Sequence, residues 1–293
     1  MSDKSYSAMK PFFRHATVSR NSSYPFISGD TFRAMADHVF DETTDVNKWP
    51  ERISDIGLGD TVFLGTEVPL IKFFSNVTFN KIRHPFVLIT HNSDASVPTR
   101  HFRWVLDNEK ILAWFASNPD HIHKKLFPIP IGLANARWPH GNVSVFKQAF
   151  KFYRKSFSRR TTLLFVNFQV KNNRVQRSKA LKWALGLPNV THSHVTSHEL
   201  YLRELGNAKF VLSPRGHGLD CHRTWETILM GAVPIVLRSR LDPLFTDAAV
   251  LIVDDWNNLS IEYLQSLEYN RLPNEILFAK YWRKRLMDVA KRE

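Results

Sequence analysis

The chain has a single cysteine, Cys221, among its 293 residues. No internal disulfide is possible, so stability must come from a buried core. No apolar run reaches the roughly 18 residues that a membrane span needs. The opening stretch, MSDKSYSAMKPFFRHATVSR, is polar and basic without an apolar centre, so it does not read as a signal peptide or anchor. A reducing cytoplasm is the placement this implies. Five N-x-S/T triplets, starting at Asn21, Asn76, Asn142, Asn189 and Asn258, then read as chance rather than as glycan sites. A GxxxxGK[ST] loop is absent, which counts against P-loop phosphoryl transfer, and no HExxH frame or cysteine-histidine framework suggests zinc.

What is present begins with charge. The formal net charge is +13, which attracts phosphate-bearing molecules, nucleic acid or anionic lipid without choosing among them. Clusters lie at Lys151–Arg160, Lys171–Lys179 and Lys280–Arg292. A nucleic-acid-binding protein is one alternative, but an RNP-type aromatic signature and a basic low-complexity arm are both missing. Another nucleotide-using α/β transferase is the second. Hydrophobic residues at 43% against 23% charged describe a globular chain rather than a disordered one.

Strand and helix patterns alternate along the chain, which predicts an α/β protein with parallel sheets. In the first half, Tyr24–Ile27 reads as a strand, Thr31–Phe40 as a helix, Thr61–Leu64 as a strand and Val68–Phe74 as a helix. Pro85–Thr90, PFVLIT, fits a strand buried on both faces. Ile111–Phe115 and the proline-punctuated Phe127–Ile131 follow as short strands. A second cycle starts after the basic stretch Val145–Arg160. It has strands at Thr161–Phe168, Val190–His194, Phe210–Leu212, Val233–Leu237 and Ala249–Val253, and helices at Asn172–Leu185, Ser197–Leu205, His222–Met230 and Ile261–Leu267. The expected boundaries are 1–158, 159–273 and an amphipathic helix over 274–293, whose apolar face reads as packing on a neighbouring domain.

The chemistry concentrates in SPRGHGLDCHRTWETILMGAVP, Ser213 to Pro234. Gly216 and Gly218 allow a backbone to turn sharply and approach a ligand. The loop feeds a helix whose first N–H groups form an anion site. Arg215 and Arg223 carry guanidinium forks suited to phosphate oxygens. Glu226, three residues beyond Arg223, shares its helical face and can accept from hydroxyls. His217 and His222 are either ligand contacts or surface residues. Asp220 reads as the helix N-cap rather than a substrate contact, and Cys221 as a packing residue. After the strand TLLFVNF, Asn173 and Arg177 open another helix, either as a second phosphate site or as a solvated face.

This segment resembles the C-terminal motif of the exostosin-like, family-47-type glycosyltransferases. Pro214, Gly216, Arg223, Glu226, Gly231 and Pro234 fall on its positions, and Leu244-Phe245 and Asp254-Asp255-Trp256 are similar to its downstream stretch. The specific match covers residues 197–260. A looser likeness is to compact members encoded by large algal viruses, proposed to transfer xylose, for which host cytoplasm would be the location. The resemblance implies a GT-B-like fold of two Rossmann-like domains facing across a cleft, the donor on the second and the final helix crossing back to the first. It also implies Arg223 on the diphosphate, Glu226 on the ribose, UDP as the nucleotide and an inverting reaction. Unlike that family's animal and plant members, the chain shows no N-terminal anchor, which puts a Golgi location in doubt.

Arg215, Arg223 and the helix N-terminus can neutralise a leaving diphosphate, so no metal or other cofactor is expected beyond the nucleotide-sugar donor and a glycan acceptor. Asp254-Asp255 is adjacent rather than alternating and does not make a DxD pair. Two carboxylates compete for the base: Asp94, after the buried strand, and Asp30, in the loop before the first helix. Each can equally serve its own turn or cap, and His91 is a weaker third choice.

Overall fold

The structure, a computed structural model, describes residues 20–66, 68–188, 190–195, 197–269 and 273–290. The opening segment through Ser19, Asn189 and residues 291–293 lie outside them. The chain divides into two compact units, Met1–Trp138 with Phe278–Glu293, and Pro139–Leu277. Each holds one five-stranded, wholly parallel sheet with helices between its strands, so the chain is built from two Rossmann-like α/β units, the composition of a GT-B fold.

In the first unit the order is β1-β2-β3-β4-β5, with strands His38–Phe40, Thr61–Gly65, Phe86–His91, Ile111–Ala116 and Leu126–Pro128. The strand order follows the chain order without a reversal. Every residue of β3 is buried, as a continuous apolar run requires of a central parallel strand. Strand alternation sends Phe40, Leu64, Leu88 and Trp114 into a core with Trp49, Phe73 and Phe79. The helices Gly29–Met35 and Ala279–Ala290 also belong to this unit, where the ring of Phe32 meets His91 at 5.5 Å and Trp282 at 5.6 Å.

Two readings change here. Tyr24–Ile27 is not a strand; the segment makes only isolated bridges, Phe26 to Phe278 and Ser28 to Gly132. Gly132, at φ 70°, must be glycine there, because a Cβ would lie 2.4 Å from the Ile27 carbonyl oxygen. The helix expected over Thr31–Phe40 stops at Met35, and His38–Phe40 becomes β1. Asp37 clamps that segment to β2: its N–H donates to the Thr61 carbonyl at 2.9 Å, and its carboxylate accepts from the Thr61 N–H at 3.0 Å.

In the second unit β6 to β10 are Thr162–Val166, Val190–His192, Ala208–Leu212, Val233–Leu237 and Leu251–Val253, in the order β10-β9-β8-β6-β7. The chain runs outward from β6 to β7, then returns to β8 on the other side. The order therefore reverses between β6 and β8, where the crevice outside the strands' carboxyl ends is open to a ligand. Val143–Phe152, overlapping the start of the basic stretch, form a helix capped by Asn142, whose side chain accepts from the Ser144 N–H. Asn173 caps the helix Arg174–Leu185 in the same way, through the Gln176 N–H.

Candidate functional site

The two loops at that reversal are residues 167–173, after β6, and 213–221, after β8. Three side chains tie them together, two from the first loop and its helix and one from the helix after the second loop. Arg177 Nε donates to the Arg215 carbonyl at 3.0 Å and Nη1 to the Gln169 carbonyl at 2.8 Å. Asn173 Nδ2 donates to the Gly216 carbonyl at 2.8 Å. Arg223, on the helix His222–Leu229, reaches back with Nε to the Asn167 carbonyl at 2.9 Å. Both guanidinium groups lie over the ring of Phe168, Arg177 at 5.7 Å and Arg223 at 5.3 Å. A Cβ on Gly216 would come within 3.1 Å of Arg177 Nη2, so a small residue keeps the loop against the guanidinium.

The electrostatics of this pair decide its meaning. Among the described residues neither Arg177 nor Arg223 meets a carboxylate within ion-pair distance. Burial first, and then the charge of Arg223, pull the Arg177 guanidinium down to about 10. It still carries its proton at neutral pH. Two neighbouring cations, one of them 3% exposed, are held in place by carbonyl oxygens and face each other's repulsion. An anion between them would relieve it.

Beside Arg223, Glu226 is buried and hydrogen-bonded to His198 Nε2 at 3.1 Å. Burial alone would raise its carboxyl. The hydrogen bond from His198 and the fields of His198, His222 and Arg223 outweigh that and hold it below the ordinary value. His140 stands 6.2 Å from the rings of both His198 and His222, and burial keeps its imidazole below the usual range, with Glu226 pulling the other way.

The remaining loop residues divide by exposure. Arg215 and His217 are exposed, whereas Gly216 and Gly218 are buried. Asp220 is not the N-cap. Cys221 holds that position without a side-chain cap bond, and the Asp220 carboxylate accepts from the Cys221 N–H at 2.8 Å and from Trp225 Nε1 at 2.7 Å. It pins the loop to the helix from outside the cap. Asp254 is engaged by Arg238, and Asp255 caps the turn Trp256–Asn258.

In the first unit, Asp94 is exposed in the loop after β3. Asp30 is not in a loop. It lies in the first turn of the helix Gly29–Met35, whose cap is Ser28, and is fully buried. Arg20 Nη1 sits 2.9 Å from its Oδ1, which also accepts from Asn92 Nδ2 at 3.0 Å. Oδ2 has no hydrogen-bond partner. Burial raises the Asp30 carboxyl, with Arg20 and Arg137 opposing. His91 accepts from the Asn92 N–H with Nδ1, at 2.7 Å, so its Nε2 carries the hydrogen that goes to the Pro130 carbonyl at 2.9 Å. His91 thus supports backbone on both sides.

Sequence reasoning did not single out Phe168 and His198. Phe168 was the last residue of an apolar strand and His198 one histidine among several; only the return of the chain after β7 brings them to Arg223 and Glu226.

No protein-family model matches the chain, and no curated protein matches it. Solved structures give looser likenesses. The chain is similar to the UDP-GlcNAc 2-epimerase of Methanocaldococcus jannaschii, in complex with UDP-GlcNAc and UDP, at 12% identity and a TM-score of 0.38, covering 83% of this chain and 80% of that one. It is similar to the α,α-trehalose 6-phosphate synthase of Burkholderia multivorans at 10% identity and a TM-score of 0.43, over 99% and 84% of the two chains. A GtfA/B complex follows at 11% and 0.39, over 80% and 58%. Likeness at this level assigns neither fold nor function, and the fold class rests on the two parallel sheets and their strand orders. Among the described residues no helix is long and apolar enough to cross a membrane.

Proposed function

We propose that this chain is a glycosyltransferase that moves a sugar from a nucleoside-diphosphate sugar to a hydroxyl of a glycan. The observation that carries the reading is the pair of guanidinium groups, Arg177 and Arg223, without a carboxylate partner beside the strand-order reversal. A diphosphate supplies two anionic groups to such a pair. The N-terminus of the helix His222–Leu229, uncapped by its Cys221 side chain, adds its first-turn dipole. Glu226, held ionised by His198, accepts from the ribose hydroxyls. Arg215 and His217, exposed on the loop, complete the donor contacts.

In this reading the acceptor oxygen attacks the anomeric carbon, the bond from that carbon to the diphosphate oxygen breaks, and the nucleotide leaves with the electron pair. Arg177, Arg223 and the helix N-terminus meet the charge that develops on the leaving group, so turnover should survive EDTA. The acceptor proton passes to a carboxylate, for which Asp94 is the candidate we favour because it is exposed and so open to an acceptor. Asp30 holds Asn92, two residues before Asp94, and so positions that loop. An exostosin-like, inverting enzyme with UDP-xylose as donor, working in the cytoplasm (a host's, if the chain is viral), is the finer form of the proposal.

A thermal-shift panel of UDP, GDP and their sugars tests it, since a ligand bound only by the folded state raises the melting temperature. A shift with one nucleotide family, lost in Arg223→Gln, is the expected result. A shift with oligonucleotide alone would support the nucleic-acid reading that the +13 charge allows.

A further inference from the structure

The second unit has another concavity, at the amino-terminal edge of its sheet. It is open to solvent and has a volume of about 820 Å³, within the range of small-molecule sites. Its wall comes from the segment leading into β6, from Lys209 at the start of β8, from Gln265 in the last turn of the helix Ile261–Ser266, and from Leu267, Glu268 and Tyr269 after it. In a parallel sheet these strand starts lie at the end opposite the loops that carry Arg177 and Arg223.

Three chemistries meet in it. Arg154, Lys155 and Lys209 supply positive charge; the exposed Glu268 is a carboxylate of the lining, and the field of Glu275 acts on Arg154 from outside it. Among the described residues neither lysine meets a carboxylate. Lys209 Nζ stands 5.3 Å over the Phe157 ring, and Lys155 donates to Asn207 Oδ1. Aromatic faces come from Phe157 and Tyr269, whose rings are 5.2 Å apart. Ser156, Ser158 and Gln265 add hydroxyl and amide groups. Neutral partners for cations, ring faces and short polar side chains fit a ligand that is itself anionic, ring-shaped and rich in hydroxyls.

The wall is built on a fixed base. Arg160, 4% exposed, spends its terminal donors on four carbonyls, those of Leu205 at 3.1 Å, Ala208 at 2.8 Å, Lys155 at 2.6 Å and Met230 at 2.6 Å. These bonds tie the backbone at Lys155 to the backbone just before Lys209, so the two lysines project from a fixed base. Gly231, at φ 70°, allows this, because a Cβ there would stand 2.7 Å from Arg154 Nε and 3.0 Å from Arg160 Nη2.

We propose that this cavity is a second ligand site of the chain, one for an acidic saccharide, with Lys155 and Lys209 on its anionic group and Phe157 and Tyr269 against its ring. The anion can be a uronate or a phosphate ester. The proposal is independent of the donor site and of the glycosyltransferase reading.

Calorimetry on the full chain with three probes tests it: a trigalacturonate, glucose 1-phosphate and neutral maltotriose. Saturable binding of at least one acidic probe is expected, with none for maltotriose, and the better acidic probe identifies the source of the anion. Lys209→Glu and the exposed Lys155→Glu should each weaken that binding about tenfold to a hundredfold, while UDP binding and the melting temperature stay as in the parent. Lys209→Gln gives a milder loss and serves if the charge reversal disturbs folding. Three results would overturn the proposal: no saturable binding of either acidic probe at millimolar concentration, equal binding of maltotriose, or acidic-probe binding that survives both lysine changes and disappears in Arg223→Gln.

Discussion

The two units place charged residues near the carboxyl ends of their sheets, and they treat the charge in opposite ways. In the first, Arg20 is paired with Asp30 and Arg33 with Asp41, the latter at 2.7 Å, and all four side chains are buried. Charge there is balanced internally. In the second, Arg177 and Arg223 are held by carbonyl oxygens, an aromatic ring and, for Arg223, the Cys221 sulfur at 3.7 Å. The strand orders differ in the same sense, since the first sheet runs in sequence and the second reverses between β6 and β8. A balanced cluster holds a fold together, whereas an unbalanced one is completed by something from outside.

The carboxylates repeat the contrast. Burial wins at Asp30 and raises its carboxyl; hydrogen bonding and neighbouring cations win at Glu226 and lower it. The linkage signs are therefore opposite. Glu226 contributes stability that is present above its unfolded value and lost as pH falls through the lowered one. Asp30 works against stability once pH rises past its unfolded value, and most above its raised one. Glu226→Gln should flatten the acid limb of a stability-versus-pH curve, and Asp30→Asn should not.

The largest expected effect breaks the comparison at the reaction itself. Asp94→Asn should slow turnover by about 10²–10⁴-fold at saturating donor with the melting temperature intact. Full turnover in this variant would remove Asp94 as the base. Next, Arg20→Met leaves Asp30 without its buried cationic partner, while Asp41 keeps Arg33, and should cost about 3–5 kcal/mol in chemical denaturation. A loss below about 1 kcal/mol would mean that the first cluster is not the structural one. His198→Asn is the smallest: a few-fold loss of donor affinity, about 1 kcal/mol, that grows as pH falls because Glu226 protonates more readily. A loss that does not vary with pH would assign His198 a packing role alone.

Much of this architecture was legible in the residues. PFVLIT announced a strand buried on both faces because nothing polar interrupts it. Arg177, Asn173, Gly216 and Arg223 are all candidates for a phosphate site from the sequence, and the structure joins Arg177 and Asn173 to the loop of Gly216 and Arg223 to the loop after β6. The errors came where distant parts of the chain decide the outcome. Tyr24–Ile27 has strand composition, but its neighbours are Gly132 and Phe278 rather than a sheet edge. Phe32, Met35, Ala36 and Val39 fit helical spacing, yet Asp37 is captured by Thr61 and the last of them enters β1. Asp30 looked like a loop carboxylate because its ion-pair partner, Arg20, lies before the helix in a stretch with no periodicity to mark it.

The central claim is that Arg177 and Arg223 form an unbalanced cation pair completed by a diphosphate. Isothermal calorimetry of UDP with the parent chain and with Arg223→Gln, at two salt concentrations, tests it most directly. The account predicts one saturable site in the parent, about tenfold to a hundredfold weaker in the variant, with a smaller salt dependence once a cation is lost. Equal affinity in the two proteins would contradict it.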